Sequence, residues 1–211
     1  MSAAAAPRPD THGHPVARVS HLDAMDHLRD PACEALVWDR TVPSGVAAAL
    51  NDVPARPLDN LRITTPVDHV GAGVMEILTD WNWPTPSARA WLQSDITTLA
   101  RAYAKFTDWH HLHLRLEIIR DDACRRFHRD HVGARLICTY AGPGTELALG
   151  ETADEAQVID PVPTGHPVVL KGKLWPDGLR GTVLHRSPPL SDGTGTGQPR
   201  ARLVMVLNEA R

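Results

Sequence analysis

Residues 124–140 read CRRFHRDHVGARLICTY. His128 and Asp130 stand two apart at the head of a β-branched, apolar run, and at a two-residue period both side chains project to one face. An imidazole and a carboxylate on one face make half of a metal site. The other half has to come from a distant residue, and His185 in GTVLHRSPP ends another strand-like run near the C-terminus. Two histidines and one carboxylate on adjacent strands form the facial triad of non-haem Fe(II), which leaves positions open for a cosubstrate and dioxygen. The pair His-x-Asp is by itself a weak signal, so its surroundings have to support it.

Working outward, ARLICTY is followed by further short strand-like runs at TELAL, AQVID, HPVVLKG, GTVLHR and ARLVMVLN, separated by turns such as AGPG, WPDG and SDGTGTGQP. Upstream, Leu112, Leu114, Leu116 and Ile118 alternate with His111, His113, Arg115 and Glu117. That period of two predicts a strand with one face in a core and the other on a polar surface or cavity. Before it lies the best helix in the chain: Thr85 can cap, Pro86 suits the first turn, and Ala88, Leu92, Ile96, Leu99, Tyr103 and Phe106 recur at spacings of four and three. From His21 to Asp80, short amphipathic pieces alternate with breaks at Pro54, Pro57 and Pro66. The first twenty residues mix Ala, Pro, His and Ser without apolar periodicity and read as a disordered tail. The expectation is α+β: one domain over 21–211, with a mainly helical flank at 21–108 and a jelly-roll or barrel core at 109–211.

The chain has 211 residues, 42% hydrophobic and 22% charged, with formal net charge −3. A chain of that length buries roughly 70% of its unfolded surface, so a core needs no metal to hold it, and a bound metal is expected to be chemical. No basic field exists for a phosphate backbone, which disfavours nucleic acid as a partner and favours a small molecule or protein. Apolar runs are too short to span a bilayer, and no signal peptide is readable. Cys33, Cys124 and Cys138 are odd in number and far apart. They form neither a disulfide framework nor a zinc knuckle, and they fit a reducing cytoplasm.

Other candidates carry plainer readings. His131 follows Asp130 and points to the opposite face of a regular strand. Of His110, His111 and His113, only the last two share a face and no cysteine pair accompanies them, so they read as a wet strand face. Cys124 and Cys138 read as small buried residues. Arg186 faces away from the ligand it follows and suits a salt bridge, and Trp175 reads as a core aromatic. Ser187 with His185 and Asp130 could suggest a hydrolase, but no G-x-S-x-G elbow surrounds a serine.

The order of these features resembles a double-stranded β-helix oxygenase of the Fe(II)/2-oxoglutarate superfamily: helices, a long strand, H-x-D, a strand carrying Gly144-Thr145-Glu146-Leu147, the second histidine, and an arginine on the last strand. The resemblance implies that His128, Asp130 and His185 hold iron. It also implies that Arg202 or Arg200, with the Tyr140 hydroxyl, binds the far carboxylate of 2-oxoglutarate, a bidentate task that suits a guanidinium. Arg202, closer to the apolar body of its strand, is the first choice. Hydroxylation of a C–H bond is the implied reaction. The stretch DDACRRFHRDHVGARLICTYAGPGTEL, with VVLKGKLW and LHRSPP, further resembles the bacterial family known as domain of unknown function 1826. An association of that family with zinc limitation implies a rival, a non-catalytic cupin-like protein of zinc or other metal homeostasis. The C-terminal arginine separates the two, since a metal carrier does not require it.

Overall fold

The computed structural model describes residues 14–53, 60–80, 83–176, 178, 180–190 and 201–210. The expected tail up to residue 13, Pro54, Pro57, the Gly-rich run 191–199 and Arg200 lie outside them.

The predicted long helix is α3 (Pro86–Thr107). The Thr85 hydroxyl accepts a hydrogen bond from the Ala88 amide at 3.2 Å, Pro86 occupies the first turn, and Asp108 closes the helix in a left-handed conformation at φ 59°. All six residues of its expected stripe are buried. With α1 (Ser44–Asn51), α2 (Val70–Asp80) and a 3-10 helix at Leu22–Arg29, it packs on one face of a seven-stranded sheet.

That sheet joins β1 (Val16–Val19), β2 (Ala35–Trp38), β3 (Leu61–Pro66), β4 (His111–Ile119), β5 (Ala134–Ala141), β8 (Pro167–Lys171) and β10 (Arg202–Glu209) in the order β1-β2-β8-β5-β10-β4-β3. A second sheet has the order β7-β6-β9, with β6 at Glu146–Leu149, β7 at Gln157–Pro161 and β9 at Val183–Arg186. Among the described residues only the β1–β2 strand pair is parallel. The two sheets face each other across a smaller apolar cluster in which Ile137, Val168, Val204 and Val206 meet Leu147, Val162 and Val183. A mixed α+β sandwich results, with its helices on the outer face of the large sheet.

Side-chain alternation sorts each strand between these layers. On β4, Leu112, Leu114, Leu116 and Ile118 join the helix-side core, leaving Arg115 and Glu117 for the inter-sheet side, as the two-residue period predicts. On β10, Leu203, Met205 and Leu207 face the helices, and Arg202, Val204 and Val206 face the second sheet.

One expectation about the N-terminal half needs correction. The tail reaches too far at residue 20, because Val16–Val19 is β1 and pairs with β2. The flank at 21–108 carries helices over most of its length and also sends two strands, β2 and β3, into the large sheet. VARV and ALVW are four residues each, too short to display a period that separates strand from helix. HLDAMDHLRD winds as a 3-10 helix.

Candidate metal centre and its cavity

His185 sits in β9 and His128 in the loop before β5, and the two residues exchange both backbone hydrogen bonds, each N–H donating to the other's carbonyl at 3.0 Å. Such a hydrogen-bonded antiparallel pair sends both side chains the same way, and the imidazole centroids lie 4.5 Å apart. Asp130 is not in a strand as expected; it lies in the irregular loop between this bridge and β5. The end of β8 fixes that loop from below: the amides of Gly172, Lys173 and Leu174 donate to the carbonyls of Gly133, Asp130 and Val132 at 2.8, 2.9 and 3.0 Å. Gly172 is required for this approach, since a Cβ there would meet the Val132 oxygen at 2.1 Å.

The start of β9 is fixed from the other side by Glu34, a buried carboxylate that accepts the amides of Thr182 and Val183 at 2.9 Å and the Thr182 hydroxyl at 3.2 Å. Two strand ends and one buried acid therefore place three side chains from two distant segments. One ligand atom from each of His128, Asp130 and His185 lies within 4.8 Å of the others, the only such group among the described residues.

The electrostatics fit a cation. Asp130 Oδ2 is buried, 3.1 Å from His185 Nε2, and accepts no hydrogen bond among the described residues, which leaves a lone pair for a ligand. Burial alone would raise the Asp130 carboxyl, but His128, His185 and Arg135 hold it well below the usual carboxylate range. The Asp130 contact raises His128, whereas desolvation lowers His185 toward the neutral form that metals require. Arg135 Nη1 lies 2.5 Å from Asp130 Oδ1 and its Nε donates to Asn208 at 2.8 Å, so the carboxylate cannot swing away.

His128 and His185 line a cavity of about 350 Å³ between the two sheets, which Arg202 also lines from β10. Arg202 is 2% exposed. Its Nη2 donates to Ser187 Oγ at 2.5 Å, while Nε and Nη1 are buried without a partner. Burial lowers its pKa, the mark of a cation that the fold itself leaves unneutralised.

Tyr140 is not in this cavity. On β5, Arg135 and Ile137 line it, whereas Leu136, Cys138 and Tyr140 face the helices. The Tyr140 hydroxyl donates to Asp95 Oδ2 of α3 at 2.7 Å, inside a buried network with the Arg40–Asp95 ion pair. Its expected role at a cosubstrate is therefore withdrawn. Cys124 is also corrected: it is exposed at the cavity rim, with φ 62°, while Cys33 and Cys138 are buried.

The plainer readings hold for other residues. His131 and His113 lie together at a separate surface hollow, with His113 Nδ1 3.1 Å from the Thr64 hydroxyl. Arg186 pairs with Glu146 at 2.6 Å and lies over the Phe127 ring, and Trp175 stacks on Phe106 at 5.6 Å. Ser187, Arg135 and Glu34 were not anticipated as parts of the site. Ser187 shares the parity of His185 two residues earlier, and Glu34 is the lone charge in CEALVW; both signals were present.

Residues 20–208 match the family model described as "Protein of unknown function (DUF1826)". The chain belongs to this family. Among curated proteins none matches significantly. The fold is similar to that of solved plant dioxygenases. One is the rice dioxygenase for auxin oxidation, at 17% identity and TM-score 0.50, covering 92% of this chain and 82% of that one. Another is the Arabidopsis thaliana dioxygenase for auxin oxidation 1 in its 2-oxoglutarate complex, at 12% identity and TM-score 0.54, covering 92% and 91%. No helix among the described residues is long and apolar enough to cross a membrane.

Proposed function

We propose that this DUF1826 chain is an Fe(II)/2-oxoglutarate-dependent oxygenase of hydroxylase type on a double-stranded β-helix jelly roll. His128, Asp130 and His185 hold the iron, and Arg202 with Ser187 holds the far carboxylate of 2-oxoglutarate. One observation carries this reading: a buried guanidinium with two unpartnered nitrogens lines the same cavity as His128 and His185. A protein that only carried metal would gain nothing from burying it, and an unpaired buried cation is costly. A carboxylate meeting Nε and Nη1 would satisfy it bidentately.

Bound iron and 2-oxoglutarate would supply the activation of dioxygen for insertion into a substrate C–H bond. The chain's own residues do the rest. His128 and His185 offer ring nitrogens that a metal would take in their neutral form, Asp130 supplies the anionic ligand, and Arg135 holds its carboxylate in place. Ser187 fixes the Arg202 fork, and Ile137, Val204 and Val206 keep the wall between the poles apolar. We place the protein in the cytoplasm, where its three free cysteines stay reduced, acting on a small molecule with no nucleic acid or membrane partner.

The test is anaerobic titration of metal-free protein with Fe(II) and then 2-oxoglutarate, read by the weak visible charge-transfer band of a chelated 2-oxoacid. The band is expected in the wild type, lost in Arg202→Met and Asp130→Ala, and retained in His131→Ala. Tight stoichiometric metal binding without any band would instead support the metal-homeostasis protein.

A further inference from the structure

Besides Arg202, the cavity is lined by Arg62, Arg115, Arg120, Arg135 and Arg186, and Arg115 is one that the cosubstrate does not need. Arg115 on β4 stands opposite Val206 of β10, four residues along that strand from Arg202. At about 3.3 Å per residue, the two positions are separated by roughly 13 Å. Arg202 marks one end of the cavity with Ser187. Arg115 lies further along β10, level with Val206 and one inward position before Asn208, which accepts the hydrogen bond of the Arg135 that holds Asp130.

Arg115 is only partly exposed, at 26% of its side chain, and its Nε is buried without a partner. Among the described residues its charge contact is Glu117 Oε2 at 3.7 Å, beyond hydrogen-bond length, while the other oxygen of the same carboxylate, Oε1, accepts from Arg62 at 2.7 Å. This corner therefore holds one guanidinium more than its carboxylate can match. The apolar strip of Ile137, Val204 and Val206 runs between it and Arg202. The volume of about 350 Å³ lies near the lower limit for ligand pockets, room for a small molecule.

We propose that the primary substrate is a small molecule with an apolar body and a carboxylate, the carboxylate held by Arg115 and the body lying along Ile137, Val204 and Val206. This rests on the oxygenase reading above. One dicarboxylate cosubstrate, with one end on the metal and the other on Arg202, leaves the Arg115 pole unmatched. A buried donor left unmatched costs free energy that a second anion would recover.

The experiment is calorimetric titration of the Fe(II)- and 2-oxoglutarate-loaded protein, under anaerobic conditions. Butyrate, hexanoate, octanoate and phenylacetate are each compared with the corresponding primary amide. At least one acid is expected to bind about tenfold or more tightly than its amide, the preference of a charge-assisted fork. Arg115→Gln is expected to erase that preference and to keep the 2-oxoglutarate band, which also certifies its fold. Arg115→Lys, keeping the charge without the fork, is expected to retain part of it.

The proposal is overturned if no acid in the panel is preferred or if the preference survives Arg115→Gln. It is equally overturned if Arg115→Gln loses 2-oxoglutarate while Arg202→Met keeps it, which would make Arg115 the cosubstrate's cation with the oxygenase reading intact. Absence of the band in the wild type would instead remove the oxygenase reading, and this inference with it.

Discussion

Tyr140 and Arg202 sit on neighbouring strands of one sheet and face opposite sides of it. Arg202 could be placed from the sequence because β10 alternates regularly through its apolar body. Tyr140 could not be, because residues 131–133 between Asp130 and β5 are irregular and parity does not survive an irregular loop. The consequence is a clean separation of roles. Tyr140→Phe removes a buried hydroxyl from an ionised carboxylate, so urea unfolding should show a loss of about 1.5–3 kcal/mol. The 2-oxoglutarate band should be unchanged. A lost band at unchanged stability would return Tyr140 to the cavity. Arg115 was legible only as one of several polar residues on an alternating strand; its significance comes from the pairing of Glu117 with Arg62, a contact across 55 residues.

At the scale of elements, β9 is four residues long and stands at the end of its sheet, where β6 is its one strand partner among the described residues. Glu34 supplies the missing constraint by capping the Thr182 and Val183 amides from a segment next to β2. Glu34→Ala would leave those donors buried without a partner. The expected cost is about 2–5 kcal/mol in unfolding free energy, from two lost charge-assisted hydrogen bonds. Metal affinity should fall as well, because His185 is two residues beyond the cap. An unaltered metal affinity in a destabilised but folded Glu34→Ala protein would show that the bridge to His128 suffices to hold β9. The long elements were readable from the sequence because α3 and β4 each repeat their period several times. The short ones, β1 and β2, were hidden because four residues carry no period, and the Glu34 clasp because pairing across 148 residues leaves no local trace.

For the whole molecule, the question is whether metal holds the fold or merely occupies it. The helix-side core runs from Ala17 to Leu207 and includes none of the three triad residues. A chain of this length buries enough surface to fold without a metal. The triad nevertheless joins the loop before β5 to β9, and that geometry exists only in the folded chain, so a metal held by the triad would favour the native state. At one hundred times its dissociation constant, the ion should stabilise the protein by about 2.7 kcal/mol. For a domain of this size, that raises Tm by about 5–10 °C. The increase should vanish on chelation and be absent in Asp130→Ala, while the apoprotein keeps a single cooperative transition. Manganese(II) is the convenient probe, because it occupies such sites without reacting with dioxygen. If chelation unfolded the protein at 25 °C, the ion would be part of the scaffold, and the His128–Asp130–His185 group would have to be read as a structural clamp with no position reserved for chemistry.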